Sequence, residues 1–95
     1  MPAYAIADIT VTDAETYSGY QALTPATIEK YGGRFMVRGG AHEVKEGDWR
    51  PGRVVVLEFD DMAALNRWYD SPEYSEARAI RLRAATGSVI FVEGA

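Results

Sequence analysis

Hydrophobic and polar positions alternate from Ala3 to Val11, with Ala5, Ala7, Ile9 and Val11 on one side and Tyr4, Ile6, Asp8 and Thr10 on the other. That period of two predicts a strand. Thr12-Asp13-Ala14-Glu15 reads as a helix start, an oxygen-bearing cap followed by an acid suited to the positive end of the helix dipole. Tyr17, Tyr20 and Leu23 or Thr24 make the inward stripe. Pro25 is expected to kink or restart the helix, with Thr24 capping the second piece, before Ile28 and Tyr31 lead to the stop at Gly32-Gly33. Arg34 to Arg38 alternates again, Phe35 and Val37 against Arg34, Met36 and Arg38, and predicts a second strand. Gly39 to Arg53 is a turn-rich loop in which Glu43-Val44-Lys45-Glu46 is a candidate short strand. Val54 to Phe59 is almost continuously apolar and is expected at the centre of its sheet. Asp60-Asp61 can cap a helix carrying Met62, Leu65, Trp68 and Tyr69 on one face. Asp70-Ser71-Pro72 ends it and begins another, Ser71 capping and Pro72 at the first helical position, which runs to about Ala85. Ser88 to Val92 is the last strand.

The order strand, helix, strand, strand, helix pair, strand predicts one α+β domain over residues 1–95, a ferredoxin-like split βαβ protomer with a four-stranded antiparallel sheet. Ala5/Ala7/Ile9/Val11, Phe35/Val37 and Val55/Leu57/Phe59 are assigned to the face covered by helices. Tyr4, Ile6, Asp8, Thr10, Arg34, Met36, Arg38, Val54, Val56 and Glu58 fall on the other face, which with Ile90 is too apolar to be left bare. A second copy packed sheet to sheet would cover it. The length argues the same way, since 95 residues bury only about 60–65% of their unfolded surface.

Composition narrows the chemistry. Fourteen acidic against ten basic residues give a net charge of −4, the wrong sign for a phosphate backbone, so nucleic acid is not an expected partner. No apolar run approaches the roughly 18 residues of a membrane span, and the N-terminus has no basic start or apolar core of a targeting segment, so a cytoplasmic setting is expected. The absence of cysteine excludes disulfides and thiol nucleophiles. With one histidine, His42, in the long loop, no metal centre and no cofactor are expected. No phosphate-loop spacing occurs among the glycines.

Tyr31-Gly32-Gly33-Arg34-Phe35, Val37-Arg38-Gly39-Gly40, Glu46-Gly47-Asp48-Trp49, Leu57-Glu58-Phe59 and Trp68-Tyr69-Asp70-Ser71-Pro72-Glu73-Tyr74 together resemble a bacterial family, the domain of unknown function thirteen-thirty. The likeness spans essentially the whole chain, and the Tyr-Asp-Ser-Pro-Glu-Tyr run is its most specific part. It implies a protomer of the dimeric α/β-barrel superfamily, in which two sheets face each other and small-molecule pockets are common. Relatives there include cofactor-free monooxygenases, muconolactone isomerases and haem-degrading enzymes. The family carries no settled activity. His42 departs from its mostly aliphatic pattern, so no role transfers to that residue.

Two constellations could carry chemistry. If Arg38 lies opposite Val54, Arg34 falls opposite Glu58, with Asp8 on the neighbouring strand facing the same way. Two carboxylates near a guanidinium could yield a general base, Asp8 or Glu58, or could form only a structural ion-pair network at a dimer interface. The second constellation is Ser71 with Tyr74, Arg78 and Arg81, where a helix N-terminus, a phenol and two guanidiniums could hold a carboxylate, or where Ser71 serves only as a cap and the arginines pair with Glu73 and Glu76. Tyr4, Arg34, Arg38, Ser71, Tyr74 and Arg81 are thus the candidate ligand-binding residues. Two functions fit: a small-ligand binding or accessory protein with a pocket in a homodimeric α/β barrel, or a cofactor-free isomerase or monooxygenase acting on a small organic acid or phenol.

Overall fold

The computed structural model describes residues 1–95 and orders seven elements: β1 (Ala3–Val11), α1 (Ala14–Lys30), β2 (Arg34–Arg38), β3 (Arg53–Phe59), α2 (Met62–Tyr69), α3 (Pro72–Ala84) and β4 (Ala85–Glu93). The strands form one antiparallel sheet in the order β2-β3-β1-β4. All three helices lie on one face of it, which makes the chain an α+β ferredoxin-like protomer.

Local chemistry explains most boundaries. Asp13, Asp61 and Ser71 cap the three helices, each side chain accepting a hydrogen bond from the backbone N–H three residues on. Helix α1 ends in a Schellman arrangement: the Gly33 N–H donates to the Ile28 carbonyl and the Gly32 N–H to that of Glu29, with Gly32 at φ +83°. A Cβ on Gly33 would strike the Phe59 ring, so glycine there lets the fully buried Phe59 sit under the turn. The expected break at Pro25 does not occur. Helix α1 is continuous through it, because the lost N–H would have served the carbonyl of exposed Gln21, which can turn to water. Thr24 is not a cap but an interior residue, its hydroxyl donating to the Tyr20 carbonyl at 2.7 Å.

Two further expectations change. Glu43 to Glu46 is not a strand but part of an exposed loop, and β4 starts three residues before Ser88 because it pairs along the whole of β1. More consequential is β2. Arg34 does pair with Glu58 and Phe35 with Leu57, but a bulge at Met36 shifts the register so that Val37 meets Val56 and Arg38 meets Val55, not Val54. One extra residue reverses every later side chain. Val37, expected inside, joins the open face, and Arg38, expected on the open face, turns to the helix side.

The core joins Phe59, Leu57, Ala3 and Ala5 from the sheet to Ile28, Leu65, Trp68, Tyr74 and Ala77 from the helices. Trp68 is at its centre, tilted against Phe59 and Tyr74 with ring centroids 5.4 and 4.0 Å away. Its buried indole N–H donates to Thr27 Oγ1 at 3.0 Å, which removes the cost of enclosing a polar group. No helix is long and apolar enough to cross a membrane.

Candidate ligand-binding site

Between the sheet and α1 the side chains leave a cavity that opens to solvent at its mouth. It arises from a mismatch in bulk: β1 presents only Ala5, Ala7 and Ile9 to the helices, and α1 narrows to Thr24-Pro25 where it crosses them. Thirteen of the nineteen lining residues are hydrophobic, so the cavity suits an organic molecule with an apolar body. Tyr17, Tyr20, Trp68, Tyr69 and Tyr74 give it an aromatic wall.

The polar part of the lining is one-sided. Arg38, Arg53 and Arg81 contribute guanidiniums, and no aspartate, glutamate or histidine lines the cavity. The protein's three salt bridges are Lys30–Glu73, Arg34–Glu58 and Lys45–Glu43, so none of these arginines has a carboxylate partner. Arg38 is exposed and stacks on the Phe35 ring at 4.3 Å, Arg53 is half-buried, and Arg81 is only 8% exposed. The bulge gathers the first two: Arg38 is opposite Val55, and Arg53 lies two residues along β3 on the same face. Arg53 lies over Gly39, which has φ +70° and whose added Cβ would collide with the guanidinium.

Tyr20 and Tyr74 share a hydrogen bond between their hydroxyls at 3.0 Å. Burial pushes both Tyr20 and Tyr17 phenols up from their ordinary value, at Tyr20 reinforced by the Tyr74 phenol and at Tyr17 opposed by Arg53 and then Arg81. The phenols are therefore neutral donors at physiological pH.

The other sequence candidates lie elsewhere. Asp8, Tyr4, Arg34 and Glu58 are on the open face, across the sheet from the cavity. Glu58 is buried and bonded to Arg34. Asp8 is four residues along β1 from Tyr4, the residue opposite Glu58, or about 13 Å away, so the two carboxylates do not form a coupled pair. The Asp8 carboxylate instead accepts hydrogen bonds from Trp49 Nε1 at 2.7 Å and from the Gly52 N–H at 2.8 Å. These hold its pKa below the ordinary value of 3.8, the Trp49 bond contributing most, which opposes service as a general base near neutrality. Ser71 is a buried cap: its hydroxyl donates to the Trp68 carbonyl at 2.7 Å and accepts from the Tyr74 N–H at 3.1 Å, so its one proton is spent within the chain and none remains for a carboxylate. Glu73 pairs across to α1, with Lys30 at 3.3 Å and the Tyr31 hydroxyl at 2.7 Å. His42 stands in the exposed loop, and no cluster of three or more acidic or histidine side chains could hold a metal ion.

Tyr74, Arg38 and Arg81 thus line the cavity together with Arg53, Tyr17 and Tyr20, which sequence reasoning had not singled out. Arg53 carried a usable signal, since it shares the parity of Val55 and Leu57. The tyrosines did not, because an inward aromatic stripe on a helix reads as core.

The fold and the cavity together define a small ferredoxin-like protein with a pocket between its sheet and helices. The sequence matches the domain of unknown function DUF1330 over residues 2–95, and the chain belongs to that family. No curated protein matches it. Among solved structures it is similar to a protein of unknown function from Rhodopseudomonas palustris, at 20% identity and a TM-score of 0.76, covering 99% of this chain and 82% of that one. It is also similar to a dimeric ferredoxin-like protein of unknown function from Jannaschia (14%, TM-score 0.69, 99% and 100% covered). A third similar structure is SnoaB, a cofactor-independent oxygenase from Streptomyces nogalater (14%, TM-score 0.68, 99% and 93% covered). These likenesses concern the fold.

Proposed function

We propose that this protein binds a small organic molecule in the cavity between sheet and helices, acting as a binding or accessory protein, with a small organic acid as the partner class. The observation that carries this reading is the aromatic-walled, mostly apolar cavity between sheet and helices. The alternative, a cofactor-free isomerase or monooxygenase acting on an organic acid or phenol, draws on kinship of fold with a cofactor-independent oxygenase. It ranks second because the cavity contains no carboxylate or imidazole to move a proton.

The test uses Trp68, which lines the cavity. In a Trp49→Phe protein, N-phenyl-1-naphthylamine, a neutral apolar fluorophore, should perturb Trp68 emission and gain fluorescence itself. Ala7→Phe, which fills the cavity from β1, should abolish both signals. Equal binding by the parent and Ala7→Phe proteins, or none by either, would overturn the reading.

The working unit in this proposal is a homodimer joined through the open sheet face. Met36, Val37, Ile90 and Val92 are exposed around that face, and the similar Jannaschia protein is dimeric. Sedimentation at micromolar concentration should give twice the 10.5 kDa chain mass. A clean monomer contradicts it, and Val56→Arg on the same face should shift a dimer toward one.

A further inference from the structure

We propose that the cavity is an aromatic carboxylate site in which Arg81 is the buried anchor for the charged end, Arg53 and Arg38 complete the guanidinium cluster toward the mouth, and the ring lies against Tyr20 and Tyr74. The inference rests on the cavity being a ligand site and specifies its ligand class.

The first ground is an unbalanced charge. Arginine stays protonated in proteins, so Arg81 keeps its charge when enclosed, and enclosing an unpaired cation is expensive. Arg81 is 8% exposed, forms no salt bridge and makes no hydrogen bond to the protein, and because no fully buried side-chain nitrogen or oxygen in the chain lacks a partner, its guanidinium nitrogens keep some open contact. Its remaining access is to the cavity it lines. The second ground is the convergence of Arg38 and Arg53 on the same cavity from a different part of the chain, the former through the Met36 bulge. Without an acid in the lining, these three charges are complementary to an anion supplied from outside.

Carboxylate is the anion whose geometry and surroundings agree. Its two oxygens match the planar guanidinium fork, and Tyr17 and whichever of Tyr20 and Tyr74 is not donating to the other can each donate a hydroxyl proton to it. The rest of the ligand must be apolar to satisfy the remaining lining. Tyr20 and Tyr74 cross edge to face with centroids 6.2 Å apart, a surface that favours an aromatic ring over a flexible chain.

The test compares 1-naphthoate with the near-isosteric neutral 1-naphthamide, by calorimetry and by Trp68 emission in the Trp49→Phe protein. Naphthoate is expected to bind at least about tenfold more tightly, the order of a charge-assisted hydrogen bond. Arg81→Met should remove that preference, lowering naphthoate affinity about tenfold or more while leaving naphthamide within about twofold. Arg53→Met should lower the preference in the same direction by a smaller factor. Equal affinity for acid and amide, or an Arg81→Met protein that keeps the preference, overturns the carboxylate assignment. The cavity reading survives that failure as long as N-phenyl-1-naphthylamine still binds and Ala7→Phe still blocks it; silence from all three probes sinks both.

Discussion

The two faces of the sheet handle positive charge in opposite ways. On the open face Arg34 is bonded to the buried Glu58, and the Asp8 carboxylate is held by Trp49 and Gly52, so each ionic group is answered from within the chain. On the helix face Arg38, Arg53 and Arg81 gather around an apolar cavity with no acid among its lining. The difference shows that ionic groups alone do not identify a site. The paired side is explained as structure, and the unpaired side is where the proposed carboxylate ligand would offset a cost the fold carries.

Matched substitutions expose the contrast most strongly. Arg34→Met leaves the Glu58 carboxylate buried and unanswered, and should destabilise the protein by about 1–2 kcal/mol, a figure reduced from that of a fully buried pair because Arg34 is largely exposed. Arg81→Met keeps an apolar stem in place while removing an unpaired buried charge, and should raise stability of the ligand-free protein by about 1 kcal/mol. Urea unfolding of the two variants checks both signs. Two losses of similar size would mean that Arg81 has an internal partner after all.

A smaller effect comes from the backbone beneath the cluster. Gly39→Ala places a Cβ at positive φ and against the Arg53 guanidinium, so it should cost about 1 kcal/mol or somewhat more and also weaken naphthoate binding. Gly19→Ala, in the middle of α1 with open space around it, is the control and should be neutral or stabilising. Calorimetric melting with and without naphthoate separates the two consequences.

The mildest test acts on the open face through pH. The folded Asp8 carboxylate titrates below its ordinary 3.8, so its contribution to holding the Trp49 loop is fully present above that value and is lost as pH falls through the lower folded one. Trp49 emission should therefore change in acid at a pH below 3.8, and the step should be missing in Asp8→Asn. A Trp49 signal that keeps its acid step in Asp8→Asn would mean that another group controls the loop. The cavity, with no acid in its lining, should show no matching acid step at Trp68.

Much of the fold was legible because its signals are local. Caps at Asp61 and Ser71, the glycine stop after α1 and the alternation of β1 each depend on a few neighbouring residues. The pairing of Arg34 with Glu58 was reached from an anchor, Arg38 opposite Val54, that the bulge displaces. The candidate site was legible only in part. Tyr74, Arg38 and Arg81 stood out by residue type, but Arg38 was assigned to the wrong face because nothing in Arg34-Phe35-Met36-Val37-Arg38 announces a bulge. Asp8 and Glu58 looked like a catalytic pair because they share a face, whereas the register separates them along it.

By itself, then, the sequence determined the order of elements, the ferredoxin-like class and the absence of thiol chemistry, since these depend on composition and on periods of two and 3.6 residues. Tertiary structure alone decided which arginines have partners. Whether a guanidinium is answered depends on which strand lies opposite, on the single-residue slip at Met36 and on how closely α1 approaches the small side chains of β1, and those are properties of the packed chain rather than of any stretch of it.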